Sequence, residues 1–213
     1  MNALAPIRFP LAPLELGGGY QVIYADPPWR FRANKHVEYD DAGARIGRMV
    51  PYPTMTLAEI TALPVKHLIA DQSVCFMWIT GPFLAIGAHI PIMKAWGFKT
   101  KAIGFTWVKL RKNYAENLFG FHRKDLHVGL GLTTRKNAEF CVIGTRGKSL
   151  RKSRSVHEVG MFPLREHSRK PDEFRTRIEE YVGPGLRMAE LFSRQPAPGW
   201  EAFGNQTTKF ENR

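Results

Sequence analysis

Asp26, Pro27, Pro28 and Trp29 stand in a row directly after a short apolar run, Gln21 to Ala25. Such a run reads as a buried strand. The strand therefore ends on a carboxylate, and two prolines, which have no N–H to donate, stop it from pairing further. An acceptor, a rigid backbone carbonyl and a flat apolar face then sit side by side at a strand end. That set could grip an exocyclic amine on a flat heterocycle. The same residues also fit a plainer reading, a strand and a polyproline turn with Trp29 packed in the core.

Positive charge is the second chemical feature. Thirty-one Lys and Arg against nineteen Asp and Glu give a net charge of +12 and a pI near 10.0. A solvated basic surface is the plain reading. An excess of this size in one domain favours a polyanionic partner, nucleic acid first. The cations cluster in polar stretches between apolar runs, at Arg30 to Lys35, Arg45 to Arg48, Lys109 to Lys112, Arg123-Lys124, Arg135-Lys136 and Arg146 to Arg154. These stretches read as loops at 30–50, 110–136 and 145–169, where binding groups usually sit. The seven histidines show no paired ligand spacing, so no metal site is expected. Cys75 and Cys141 each fall inside an apolar run and read as core residues of a reducing compartment. No apolar run approaches the ~20 residues of a membrane span. Residues 1–16 lack the order of a secretory signal. A cytoplasmic location, in a bacterium or encoded by a phage, is the expectation.

The elements that would position these groups follow from pattern. The 213 residues fit one domain, 1–213, with an irregular Pro-rich arm at 1–16. Strands are expected at 21–25, 73–80, 101–109, 138–144 and 188–192, with one more at 200–204. Thr56-Leu57-Ala58-Glu59 has the spacing of a capping box and opens a short helix before Pro64. Residues 82–96 read as a helix kinked at Pro91 and stopped by Gly97. Pro171-Asp172-Glu173 opens another, ending before Gly183. Strands alternating with helices argue an α/β fold with a mostly parallel sheet covered on both faces. Ligands of such sheets bind at the carboxyl ends of the strands.

Several motifs fall at those ends: Asp26 to Trp29, then Ser168-Arg169-Lys170-Pro171-Asp172-Glu173, then Glu190-Leu191-Phe192-Ser193-Arg194, then Gly204-Asn205-Gln206. In this order they resemble the family of S-adenosylmethionine-dependent adenine N(6)-methyltransferases, which includes the catalytic subunit of the eukaryotic messenger-RNA adenosine methyltransferase and bacterial and phage DNA enzymes. Pro51 to Met55, Phe76 to Thr80, Trp107-Val108-Lys109 and Glu139-Phe140-Cys141 match as well, so the resemblance spans about residues 20–206.

The resemblance implies a Rossmann-like fold in permuted order, with the catalytic motif first and the cofactor strand last. It implies that Asp26 and the Pro27 carbonyl accept the hydrogens of the adenine amine, with Pro28 and Trp29 completing the catalytic motif and Trp29 stacked on the base. It places S-adenosylmethionine on Asp26, Lys170, Glu190, Arg194, Asn205 and Gln206, with Lys170 at the methionine carboxylate. Tyr52 would line the base pocket; Arg30, Lys109, Arg135 and Lys136 would contact the nucleic acid. DNA is the expected substrate, RNA the alternative, and a homodimer or a related subunit a possible assembly. A non-catalytic partner subunit is the rival reading, but such partners lose the Asp-Pro-Pro-Trp that is intact here. Methyl transfer to cytosine N(4) is disfavoured because those enzymes carry Ser or Thr in place of the aspartate. The chain departs from the messenger-RNA enzyme at Gln195 to Gly199, which is Pro-rich and lacks a His-Asn pair, and at Ser168-Arg169-Lys170, where that enzyme has Ser-His-Lys.

Overall fold

The computed structural model describes residues 19–30, 38–39, 45–46, 54–115, 120–129, 133–166, 169–205 and 207. The strands are β1 (Tyr20–Ala25), β2 (Glu38–Tyr39), β3 (Arg45–Ile46), β4 (Ile69–Ile79), β5 (Lys99–Leu110), β6 (Ala138–Arg146), β7 (Val159–Pro163), β8 (Met188–Leu191) and β9 (Trp200–Phe203). The α-helices are α1 (Leu57–Thr61), α2 (Gly81–Ala85), α3 (His89–Ala95) and α4 (Glu173–Val182). Single 3₁₀ turns lie at Val65–His67 and Arg123–Asp125.

Seven strands form one sheet in the order β7-β5-β6-β4-β1-β8-β9, and β2 pairs with β3 in a separate ribbon. β6 runs antiparallel to both β4 and β5, while the other neighbours in the large sheet pair in parallel. Six strands therefore point one way, and the sheet has a carboxyl end and an amino end. The expected mostly parallel α/β sheet is present. β1 lies near its centre, with Ala25 opposite Met77 of β4 on one side and Leu191 of β8 on the other. That explains why Val22, Ile23 and Ala25 are fully buried: a strand paired on both sides and covered on both faces reads as a continuous apolar run.

Helices cover both faces. On one, Ile60 of α1 and Ile92 and Met93 of α3 join Ile23, Cys75 and Met77 in a single cluster. The Trp96 indole donates to the Ile60 carbonyl at 3.0 Å and ties α3 to α1. On the other, Phe174, Ile178 and Val182 recur at helical spacing along α4 and pack on Phe76, Trp78 and Phe105. Both cysteines are buried in this core.

The capping box forms as expected: Thr56 accepts from the Glu59 N–H at 3.2 Å, and the Glu59 carboxylate takes the Thr56 N–H at 2.7 Å. Three expectations need correction. The helix expected over 82–96 is two helices, and the break falls at Gly87 with φ 67°, not at Pro91. Only glycine adopts that backbone without penalty, whereas Pro91 sits in the first turn of α3, where its missing N–H costs nothing. The loop expected over 145–169 is divided by β7, which carries the chain from the amino end of the sheet to the carboxyl end. Finally, β4 begins at Ile69 and β5 at Lys99, earlier than the apolar runs suggest, because the extended backbone continues through exposed polar residues such as Asp71, Gln72, Lys99 and Lys101.

Candidate active site

Asp26 follows the last residue of β1, and its N–H reaches the Leu191 carbonyl of β8 at 3.4 Å. The prolines end the ladder as expected. The Pro27 carbonyl accepts the Trp29 N–H at 2.9 Å, which leaves it one lone pair, and the Pro28 carbonyl accepts the Met55 N–H at 2.7 Å. A rigid turn therefore holds the Asp26 carboxylate at the carboxyl end of the central strand.

With three neighbours it forms a row of four charged side chains that alternate in sign. Lys170 Nζ lies 2.6 Å from Asp26 Oδ2 and 3.3 Å from Glu139 Oε2, and Lys109 donates to the other Glu139 oxygen. Four segments supply them: Asp26 follows β1, Lys170 precedes α4, and Lys109 and Glu139 come from the antiparallel pair β5 and β6, where Trp107 opposes Glu139. Only 10% of the Lys170 side chain and 20% of the Glu139 side chain are exposed. Burial alone would neutralise both groups. Against it, Lys170 and Lys109 hold the Glu139 carboxyl down at about 2. Burial likewise opposes the Lys170 charge, but Asp26 and Glu139 outweigh it and raise the ammonium above the ordinary lysine range. The chain Lys109–Glu139–Lys170–Asp26 is thus a charged relay fixed in place before any ligand arrives.

A crevice opens beside Asp26, lined by Tyr24, Lys170, Pro171, Asp172, Arg175, Glu190, Phe192, Arg194 and Gln195. Arg175 donates to Glu190 Oε2 through two nitrogens, at 2.7 and 3.2 Å. Burial nevertheless raises the Glu190 pKa, and Arg175 offsets this only in part. Among the described residues Glu190 Oε1 receives no hydrogen bond, so one carboxylate oxygen remains to accept hydroxyl hydrogens. Asp172 gathers four donors: Arg165, Arg169 at 3.1 Å, Arg175 at 3.0 Å and Gln195 at 3.1 Å. Burial works against its charge, and Arg165 and Arg169 hold its pKa below the usual range all the same. Phe192 turns the chain out of β8 with φ 63°, a conformation that bulky residues seldom adopt and that clusters at ligand sites.

The structure brings Asp26, Lys170, Glu190 and Arg194 to one crevice and leaves other expected residues outside it. Asn205 is exposed beyond β9 and does not line the crevice. Tyr52 and Gln206 lie outside the described residues. Trp29 is placed in the core. Its ring is 6% exposed, stacks on Phe83 with centroids 5.1 Å apart, and donates its indole N–H to the Trp78 carbonyl at 3.1 Å. Its burial and these two contacts match the plainer reading, in which the ring packs in the core beneath the Asp26 turn. Lys109 is likewise tied to Glu139 and lies 4.9 Å from the Trp107 ring centroid. Arg30 is exposed and donates to the Thr54 carbonyl at 2.8 Å. Arg135 and Lys136 are exposed in the β5–β6 connection at the carboxyl end of the sheet.

Glu139, Asp172 and Arg175 were not among the expected site residues. Glu139 carries a legible signal, an acid at the head of an otherwise apolar strand. Asp172 and Arg175 read as ordinary helix-start and helix-surface residues, and only the packing of α4 against β8 turns them inward.

The crevice also suits the chemistry of S-adenosylmethionine. An ammonium has three donors, and Lys170 uses two on Asp26 and Glu139, leaving one for a ligand carboxylate. The open oxygen of Glu190 suits a ribose diol. No group of His, Cys, Asp and Glu among the described residues could hold a metal ion.

Residues 20–206 match the MT-A70 family. The Type II methyltransferase M.MunI of a Mycoplasma species is 30% identical over 199 residues, covering 87% of this chain and 76% of that protein. A probable N(6)-adenosine-methyltransferase MT-A70-like of Oryza sativa subsp. japonica is 30% identical over 195 residues, covering 91% of this chain and 24% of that protein. The N(6)-adenine-specific methyltransferase METTL4 of Mus musculus is 25% identical over 209 residues, covering 93% of this chain and 40% of that protein.

Proposed function

Because the chain belongs to the MT-A70 family, we propose that it transfers a methyl group from S-adenosylmethionine to the exocyclic amine of adenine in nucleic acid, with DNA as the substrate. The observation that carries this reading is the Asp26 carboxylate, held at the strand end by Lys170 at 2.6 Å and opening onto the crevice of Glu190 and Arg194.

S-adenosylmethionine, when bound, supplies an electrophilic methyl on a sulfonium. Lys170 and Glu190 would hold its carboxylate and ribose, with Arg194 beside them. The protein's task is then the amine. The lone pair of an adenine amine is delocalised into the ring, so it attacks poorly. Oδ1 of Asp26 takes no hydrogen bond among the described residues, and the Pro27 carbonyl keeps one lone pair. Two acceptors that take the amine hydrogens out of the ring plane draw the nitrogen toward a tetrahedral shape and stabilise the positive charge that grows as it attacks. Lys170 holds the carboxylate still, so that little reorganisation is left for the reaction itself. The remaining work is in-line placement of nitrogen, methyl and sulfur, which is orientation.

The exposed cations of the β5–β6 connection, Arg135 and Lys136 among them, flank this end of the sheet and suit a phosphate backbone. DNA is favoured by the similarity to a Type II methyltransferase across most of both chains. The N(6)-adenosine in the name of the rice relative supports RNA as the second reading. We place the protein in the cytoplasm of a bacterium or a phage host; no helix among the described residues is long and apolar enough to cross a membrane. Incubation with labelled S-adenosylmethionine and matched DNA and RNA oligonucleotides, followed by nucleoside digestion and mass analysis, tests the proposal. N6-methyldeoxyadenosine is the expected product. Label on cytosine, or on neither polymer, would overturn it.

A further inference from the structure

Among the described residues, basic side chains gather at the two ends of the sheet. One group sits at the carboxyl end, beside Asp26. The other sits at the amino end and comes from three separate segments. α3 ends there with Lys94, β5 starts there with Lys99, and β6 ends there in the stretch that carries Lys148, Arg151, Lys152 and Arg154. All six are exposed.

Contacts tie the segments together. Thr145 pairs with Lys99 across β5 and β6. A Cβ on Gly97, just after α3, would lie 3.3 Å from the Lys66 side chain and 3.6 Å from an Arg146 guanidinium nitrogen. The Lys152 N–H donates at 2.7 Å to the Tyr181 carbonyl in the last turn of α4. α4 starts beside the active site with Glu173 and leads toward the start of β8, so its last turn faces the amino end of the sheet. β4 alone, Ile69 to Ile79, spans roughly 33 Å at the usual rise per strand residue. This surface therefore lies about a strand length from Asp26.

Charge here differs in kind from charge at the active site. Among the described residues, Arg146 is paired with Asp71 at 2.9 Å, whereas the six named cations enter no ion pair. The Lys152 backbone N–H caps the carbonyl end of α4, and a cation is favoured near such an end, but that accounts for one residue of six. Two acids stand beside them, Glu180, which accepts from Ser153 at 3.2 Å, and Asp71 on Arg146; the six unpaired cations outnumber these and leave a net positive field for a polyanion.

We infer that the amino end of the sheet is a second nucleic-acid surface, which holds the phosphate backbone of a segment other than the one entering the active site, without regard to its sequence. The choice of nucleic acid as the polyanion rests on the methyltransferase reading; the surface itself does not. Backbone contacts position a protein on DNA and carry no sequence information, so this surface would keep the enzyme on a long polymer between target sites.

The test replaces Lys148, Arg151, Lys152 and Arg154 together by glutamine, with circular dichroism and a thermal melt to verify folding. Affinity for a long duplex without the target adenine is measured over a range of salt. The expected result is weaker binding and a log–log salt slope shallower by about 0.9 for each contact removed, with kcat on a saturating short oligonucleotide unchanged. Should the variant fail to fold, lysine acetylation of the wild-type protein gives the same answer: Lys94, Lys99, Lys148 and Lys152 should be protected by duplex DNA. An unchanged slope, or no protection, overturns the inference. A changed slope in a protein that methylates nothing leaves the surface standing and removes the methyltransferase reading instead.

Discussion

The two ends of the sheet carry charge in opposite ways. At the carboxyl end, Asp26, Lys170, Glu139 and Lys109 are paired with one another, and Asp172 gathers Arg165, Arg169 and Arg175. At the amino end, Lys148, Arg151, Lys152 and Arg154 stand exposed and outside any ion pair among the described residues. Paired, half-buried charge has lost its water already, so it can act on a ligand with little further reorganisation. Exposed charge keeps its water and counterions, and binding draws on their release. The carboxyl end is therefore built to act on one group at one place, and the amino end to hold a repeating anion anywhere along it.

The most damaging change to the carboxyl end is expected from beneath it. Trp29 is buried against Phe83 and hydrogen-bonded to the Trp78 carbonyl. Trp29→Ala should cost about 3–5 kcal/mol of stability, the range for an aromatic removed from a core. Chemical denaturation measures it directly. A loss below ~1 kcal/mol, with weakened substrate binding in its place, would restore the stacking role that burial of the ring argues against.

Next comes the acceptor itself. Asp26→Ala should lower kcat by at least ~10²-fold, the scale for one preorganised electrostatic group, and leave the salt dependence of DNA binding unchanged. Single-turnover methyl transfer separates this from product release. A near-normal rate in the variant sinks the assignment of Asp26.

Lys170→Ala is expected to act on both ligands at once. It removes one donor to the cofactor and leaves Asp26 and Glu139 facing each other with no cation between. Cofactor affinity should fall by about 1.5–3 kcal/mol, as for a charge-assisted hydrogen bond, and kcat should fall with it. Calorimetry with S-adenosylmethionine, set beside the rate at saturation, separates the two. Unchanged affinity with a reduced rate would confine Lys170 to the relay and take it out of the cofactor site.

Part of this contrast was legible in the sequence and part was not. The apolar runs located β1, β4, β6 and β8, because a strand covered on both faces must be apolar at nearly every position, and the apolar parts of β5 and the edge strand β9 located those two. Thr56 and Glu59 announced their cap, since that interaction is local. β7 was missed because an edge strand need be apolar on one face only: Gly160 and Phe162 turn inward while Val159 and Met161 are exposed. The same strand divides the basic stretch 145–169 between the two ends of the sheet, so the separation of charge could not be read from spacing. Asp26 and Lys170 were found by motif, 144 residues apart. That they touch each other, and that Glu139 joins them, is long-range packing with no local signature. The sequence left the indole of Trp29 open to the core or to a ligand, and its packing on Phe83 and Trp78 is a tertiary contact with no local signature.

The smallest effect expected concerns pH, and it sharpens the contrast by what should not change. Glu139 is depressed from an ordinary 4.5 to about 2, against its burial, by Lys170 and Lys109. A carboxyl held low contributes stability that is complete above its ordinary value and lost as pH falls from 4.5 toward about 2. Lys170 is raised above its ordinary 10.5, chiefly by Asp26 acting against burial. A lysine held high contributes stability that is complete below 10.5 and lost only as pH rises through its elevated value. Between 4.5 and 10.5 both members of the pair stay charged, so the pair itself should put no inflection into the rate across that window. Glu139→Gln should therefore leave the shape of the kcat profile near neutrality unaltered, while acid unfolding of the variant becomes less steep than that of the wild type below 4.5. An inflection near neutrality that disappears in Glu139→Gln would mean that a proton, and not a fixed charge, sits between Lys170 and Asp26 during turnover. The carboxyl end would then work by proton transfer through the relay, and the contrast between fixed and solvated charge would have to be redrawn.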